Sequence, residues 1–156
     1  MNIHEKYISR CIELAKLGIG NTYPNPSVGA CLVVNDKIIG EGYTSEAGGH
    51  HAEINAIRTA CQARKELYLS DCTMYVTLEP CAMCYAAIVN SRLKKLIYGL
   101  PSPKYGAFSS NHSTCQNIER VVKNTEVYGG FYQSEISQIM KEFFEVRRER
   151  FNGNRY

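Results

Sequence analysis

At 156 residues the chain has the length of one domain and enough residues to bury a core. Charged residues at 21% and hydrophobic residues at 44% exclude a disordered or fibrous chain, and no apolar run approaches a membrane span. A net charge of +3 permits an anionic partner without requiring one. Seven cysteines, spread along the chain, form no compact paired framework. Met1–Lys6 lacks the charged-then-apolar pattern of a secretory leader. Both features predict a reducing cytoplasm, with Cys11, Cys31, Cys61, Cys72 and Cys115 as small core or surface residues.

From Ile3 to Leu17, apolar residues at Ile8, Cys11, Ile12 and Ala15 recur at helical spacing, and Gly18 and Gly20 supply a stop. Thr22-Tyr23-Pro24-Asn25-Pro26-Ser27 is predicted non-helical, because each proline pushes its predecessor toward extended geometry. Val28–Val34 and Lys37–Tyr43 read as strands of a hairpin turning at Asn35-Asp36. Thr44–Gly49 is a loop. A helix is expected from His51 to Cys61, with Ile54, Ile57 and Cys61 on one face. A third strand follows at Cys72–Thr77, a buried helix at Cys81–Asn90 and a fourth strand at Leu93–Tyr98. Polar residues from Leu100 to Gln116 predict a long loop. Glu126–Tyr128 reads as a short fifth strand, and Ser134–Phe151 as a closing helix with Ile136, Ile139, Met140 and Phe143 on its core face. This alternation predicts an α/β layered sheet whose first pair is antiparallel, in a single domain over residues 1–156.

Two short pieces carry the chemistry: His51-Ala52-Glu53, and Pro80-Cys81-Ala82-Met83-Cys84. One imidazole and two thiols are ligands that zinc prefers, and a catalytic zinc site keeps its fourth position for water. Cys81 and Cys84, three apart in a first helical turn, share a face. The helix N-terminus also favours the thiolate. A redox pair would not explain His51 and Glu53, and a structural zinc site would want a fourth Cys or His. His50 adjoins His51, so spacing alone leaves the ligand ambiguous. H-x-E followed by P-C-x-x-C, the pattern of zinc-dependent nucleobase deaminases, selects His51. In that pattern Glu53 shuttles a proton from water to the leaving amine. Two positions apart on a regular helix, His51 and Glu53 would not face the same way, so the pattern implies a bend at the helix start. Backbone N–H groups there, Ala52 among them, are candidates to hold the substrate ring or developing charge.

Across nearly its whole length the chain resembles the cytidine deaminase-like superfamily. The resemblance implies a three-layer α/β/α sandwich with a five-stranded mixed sheet, a Zn2+ cofactor and hydrolytic deamination of a nucleobase-containing substrate. From Leu69 onward it is similar to the bacterial tRNA-specific adenosine deaminases. The matching stretches are Tyr75–Cys84, Ser91-Arg92, Lys104-Tyr105-Gly106-Ala107 and Glu142–Arg148. That half implies adenosine in a tRNA anticodon loop as substrate and places Arg147, Arg148 and Arg150 as candidate RNA contacts. Those enzymes carry an asparagine that contacts the nucleoside near Thr44, which makes Thr44 a candidate substrate contact. The first half, through Pro24–Ala30 and Ala47–Glu53, looks more like the pyrimidine deaminase domain of riboflavin biosynthesis. It implies that Asn25 holds the substrate ring, and it keeps a small aminated pyrimidine, free base or nucleotide open as substrate. Riboflavin enzymes space their cysteines farther apart, after a Gly-x-Thr-Pro-Pro-Cys run absent from this sequence. A non-catalytic, zinc-stabilised binding module is opposed by Glu53 and the open metal position. Tyr23, Tyr43, Tyr105 and Phe108 fall in or beside predicted loops near the site and are candidates to stack on a base. The resemblance further implies a homodimer.

Overall fold

A computed structural model of the chain describes residues 2–22, 25–108, 110 and 125–153, with side chains to residue 145. Helix α1 (Ile3–Leu17) opens on a reciprocal cap. The Asn2 side chain accepts from the Glu5 N–H at 3.0 Å, and the Asn2 N–H donates to the Glu5 carboxylate at 3.2 Å. Strands β1 (Gly29–Val34) and β2 (Lys37–Tyr43) form an antiparallel hairpin. Its turn residues Asn35 and Asp36 have φ of 49° and 60°, the left-handed pair that matches the twist of the strands.

Helix α2 (Ala52–Arg64) then lies directly on β2. Its small stripe Ala52, Ala56 and Ala60 is fully buried against Gly40 and Gly42. A Cβ at either glycine would stand 2.5 Å from a backbone oxygen of α2, so only glycine permits this approach. Strand β3 (Thr73–Leu78), helix α3 (Ala82–Asn90), strand β4 (Lys95–Leu100), strand β5 (Glu126–Tyr128) and helix α4 (Gln133–Gly153) complete the described chain.

The five strands run in the order β2-β1-β3-β4-β5. β1 is antiparallel to β2 and β3, while β3, β4 and β5 are parallel. The period-2 alternation of strand side chains sorts the core into two layers. Ala30, Leu32, Met74, Val76 and Leu96 face α2 and α3, in one cluster with Ala56 and Ile88. Cys31, Val33, Tyr75 and Ile97 face α1 and α4, in the other cluster with Tyr7, Ile8 and Ile136. Covered on both sides, the central strands read as near-continuous apolar runs. The arrangement is the α/β/α sandwich with a mixed five-stranded sheet that the family resemblance implies.

Several boundaries move. β4 begins at Lys95 instead of Leu93. Arg92 turns left-handed at φ 56°, and the Leu93 N–H still closes back onto Ile88, so buried Leu93 plugs the core beneath α3 without joining the sheet. α2 runs past Cys61 to Arg64, where Lys65 at φ 52° stops it. Cys11, Cys31 and Cys72 are buried thiols and Cys61 is half-buried; Cys115 lies outside the described residues.

Candidate active site

Both halves of the zinc motif sit where the chain enters a helix. His51 is the N-cap of α2, with extended backbone at φ −67° and ψ 159°. It therefore stands one step outside the helix. This is the bend that lets its imidazole and the Glu53 carboxylate, in the first turn, reach the same cavity. Cys81 is likewise the extended N-cap of α3, and Cys84 follows in the first turn. Pro80 just ahead of it withholds an N–H and favours extended geometry in its predecessor.

The three side chains converge. His51 Nδ1 lies 3.7 Å from Cys81 Sγ and 3.5 Å from Cys84 Sγ, and all three donor atoms lie within 4.8 Å of one another. Zn–S bonds of about 2.3 Å and Zn–N bonds of about 2.0 Å, at the tetrahedral angle, put such donors about 3.5 Å apart. The donor set and its spacing fit zinc. The Cys81 thiol is lowered to about 4, chiefly because Cys84 donates to it, and then because His51 does. The same contact, with burial, pushes Cys84 up. His51 is raised by the Cys81 thiolate beside it.

Glu53 is 4% exposed. Burial is the main cause that raises its carboxyl above the ordinary range, with the Cys84 thiol hydrogen-bonded to it acting in the opposite direction. A carboxyl that keeps its proton more readily is suited to exchange it with substrate.

These groups open on a cavity of about 950 Å³. Asn25 and Thr44 are on its wall, as are Tyr105 and Lys104. The Thr44 hydroxyl accepts from the Val28 N–H at 2.9 Å and donates to Pro26 O at 3.2 Å, so it ties Pro26–Val28, which follow Asn25, to the end of β2. Ala52, the first residue of α2, is fully buried and does not line the cavity. Arg147, Arg148 and Arg150 fall on the last turns of α4, where side chains lie outside the described residues. Tyr23 lies outside them as well. Phe108 packs on Tyr85 at 4.5 Å between ring centroids, so it belongs to the core and not to the cavity wall.

The sequence reading missed two sets of wall residues. Met140 and Phe144, one turn apart on α4, reach the cavity from the far layer. Their spacing reads as an ordinary helix core face, and nothing in the sequence marks them otherwise. Glu79 is buried and receives the loop that follows β4. A charged residue wedged between a buried strand and a proline was the available signal.

A His-Cys-Cys site at two helix starts, with a buried carboxyl beside it and room for a flat ring, defines a metal-dependent hydrolase of aminated rings. Residues 1–100 match the family described as the cytidine and deoxycytidylate deaminase zinc-binding region, and the chain belongs to that family. It is 36% identical over 166 aligned positions to a tRNA-specific adenosine deaminase of Buchnera aphidicola, covering 99% of each chain. Among solved structures, a tRNA:A34 deaminase superposes with a TM-score of 0.72 at 32% identity, over 86% of this chain and 98% of the other. A diaminohydroxyphosphoribosylaminopyrimidine deaminase/reductase of Thermotoga maritima superposes with a TM-score of 0.74 at 31% identity, over 94% of this chain and 42% of the other. The chain is thus a zinc-dependent deaminase, with relatives in both branches that the sequence resembles.

Proposed function

We propose that this enzyme deaminates adenosine to inosine in a tRNA anticodon loop. The observation that carries the reading is extent: the chain aligns with a tRNA-specific adenosine deaminase over 99% of both chains, but covers 42% of the bifunctional pyrimidine enzyme. Zinc, when held by His51, Cys81 and Cys84, would supply acidification of a bound water. Glu53 would take one proton from the water as its oxygen adds to C6 of adenine, and would pass it to N1 as the C6–N1 double bond opens. It would then carry the second proton, from the new C6 hydroxyl, to the amino nitrogen, so that the C6–N bond breaks, ammonia leaves and the oxygen remains as the carbonyl of inosine. Asn25 holds the ring from the wall opposite, and the Ala52 N–H at the helix start steadies developing charge. Thr44 acts here by fixing the Asn25 segment. Arg147, Arg148 and Arg150 meet the RNA backbone. The enzyme works in the cytoplasm as a homodimer, with exposed Met83 on α3 as part of the joined surface. Free thiols throughout the described residues suit that compartment.

A second reading is favoured by Asn25 and Pro26 at the cavity, from a segment of the sequence that resembles the riboflavin enzymes: deamination of a small riboflavin-pathway pyrimidine. One assay separates them. The zinc-loaded protein is given a tRNA bearing a wobble adenosine, and in parallel a panel of free aminated pyrimidines and purines. Inosine in the tRNA is the expected product. Ammonia from a small pyrimidine with the tRNA unchanged would transfer the assignment to the second reading.

A further inference from the structure

Glu79 is a buried acid, 3% exposed, to which the deamination chemistry gives no part. Its carboxylate gathers the chain that follows β4. Oε1 accepts from the Ser102 N–H at 3.1 Å and the Ser110 hydroxyl at 2.6 Å. Oε2 accepts from the N–H groups of Phe108 at 3.2 Å and Ser110 at 3.0 Å. Two backbone bonds run alongside, from the Glu79 N–H to Leu100 O and from the Ala107 N–H to Pro80 O, each 2.9 Å. A Cβ on Gly106 would stand 2.3 Å from the carboxylate carbon, so the loop closes around the acid at a glycine. Hydrogen bonds to an ionised acceptor are roughly twice as strong as neutral ones. A loop held this way loses conformational entropy at folding instead of at binding.

Between these anchor points stand Lys104 and Tyr105, on the cavity wall with His51 and Glu53. Tyr105 is 66% exposed, and Lys104 Nζ lies 5.2 Å from the centre of its ring. An exposed ring beside an ammonium suits a base stacked on the ring with its phosphate near the cation. We propose that Glu79 is a positioning residue for a single-stranded nucleic acid: it clamps the chain at Ser102, Phe108 and Ser110 so that Tyr105 stacks on a base flanking the target and Lys104 meets the backbone. Glu79 then governs binding without touching the reacting atoms. The proposal rests on the nucleic-acid reading of the cavity.

The test uses the full, zinc-loaded chain and an anticodon stem-loop RNA with a wobble adenosine. KM, kcat and zinc content are measured for wild type, Glu79→Ala, Glu79→Gln, Tyr105→Ala and the variant combining Glu79→Ala with Tyr105→Ala, together with amide hydrogen exchange at Ser102, Phe108 and Ser110 without RNA. Glu79→Ala and Tyr105→Ala are each expected to raise KM about tenfold while kcat stays within about threefold. Zinc content stays at the wild-type level, the three amides lose protection in Glu79→Ala, and adding Tyr105→Ala to Glu79→Ala changes KM little. Glu79→Gln keeps the shape and part of the acceptor set, so it falls between, and it carries the test if the alanine variant does not fold. A fall in kcat at unchanged KM, protected amides in Glu79→Ala, or independent losses in the double variant would overturn the proposal. If wild type leaves the adenosine intact, the tRNA reading fails on its own. The clamp is still judged by exchange and by RNA affinity measured without turnover.

Discussion

His51 Nδ1 and Cys84 Sγ lie 3.5 Å apart although 33 residues separate them in the chain. Two helix starts meet there, each entered through an extended N-cap, and the metal centre is their junction. Losing either residue therefore removes a metal donor and also a link between α2 and α3. Cys84→Ala is expected to purify without stoichiometric zinc and to melt below the wild type, as read by metal analysis and thermal unfolding.

Chelation of the wild type should reproduce that loss without changing a residue. At free zinc a thousand times its dissociation constant, the metal contributes about 4 kcal/mol of native stability. A strong chelator is expected to abolish turnover and lower the melting temperature, and added zinc to restore both. Turnover that survives full removal of zinc would refute the metal's role.

Glu53→Gln separates chemistry from metal binding. The amide keeps the shape but cannot carry a proton, so kcat should fall by about 10²–10⁴. Zinc content should remain at the wild-type level. Loss of metal together with activity would instead make Glu53 part of the metal's support.

Gly42→Ala tests how α2 is seated. The added Cβ meets Ala52 O at 2.5 Å and Ala56 N at 2.6 Å, both backbone atoms that cannot rotate away. A cost of about 1–3 kcal/mol in urea unfolding is expected, with weaker zinc retention because His51 heads the displaced helix. Unchanged stability would mean that α2 slides freely.

The Arg64–Asp71 pair gives a pH signature away from the site. Arg64 holds the Asp71 carboxyl below its ordinary value of 3.8. A carboxyl lowered in the fold adds stability that is present above the unfolded value and is lost as pH falls through the folded one. Asp71→Asn should therefore lower the urea midpoint at neutral pH and show a shallower decline on acidification, converging on the wild type at the acid end. Both partners are partly solvated, so the effect is small.

The central strands were legible because they are covered on both faces, and the hairpin because Asn35-Asp36 is turn chemistry. The metal set was legible because residue types and intervals carry its chemistry directly. The start of β4 was not, because Leu93 is as apolar as a strand residue while serving as a plug under α3. The far wall was not, because Met140 and Phe144 look like any helix core until a cavity is placed beside them. Glu79 was hidden for a related reason. Its partners lie 23 to 31 residues away, and backbone N–H groups leave no trace in a sequence.

The cavity draws its two sides from different parts of the chain. Every metal donor and Glu53 lie between residues 51 and 84, inside the stretch that matches the family. Tyr105, Met140 and Phe144 come from beyond residue 100, outside that stretch. The ligand set and Glu53 thus lie within one tract of the polypeptide, while the rest of the wall is shared between Asn25 and Thr44 of that tract and residues beyond it. A graft that replaced residues 101–153 with the corresponding tract of another deaminase is therefore expected to shift substrate preference only in part, and to leave zinc content at the wild-type level.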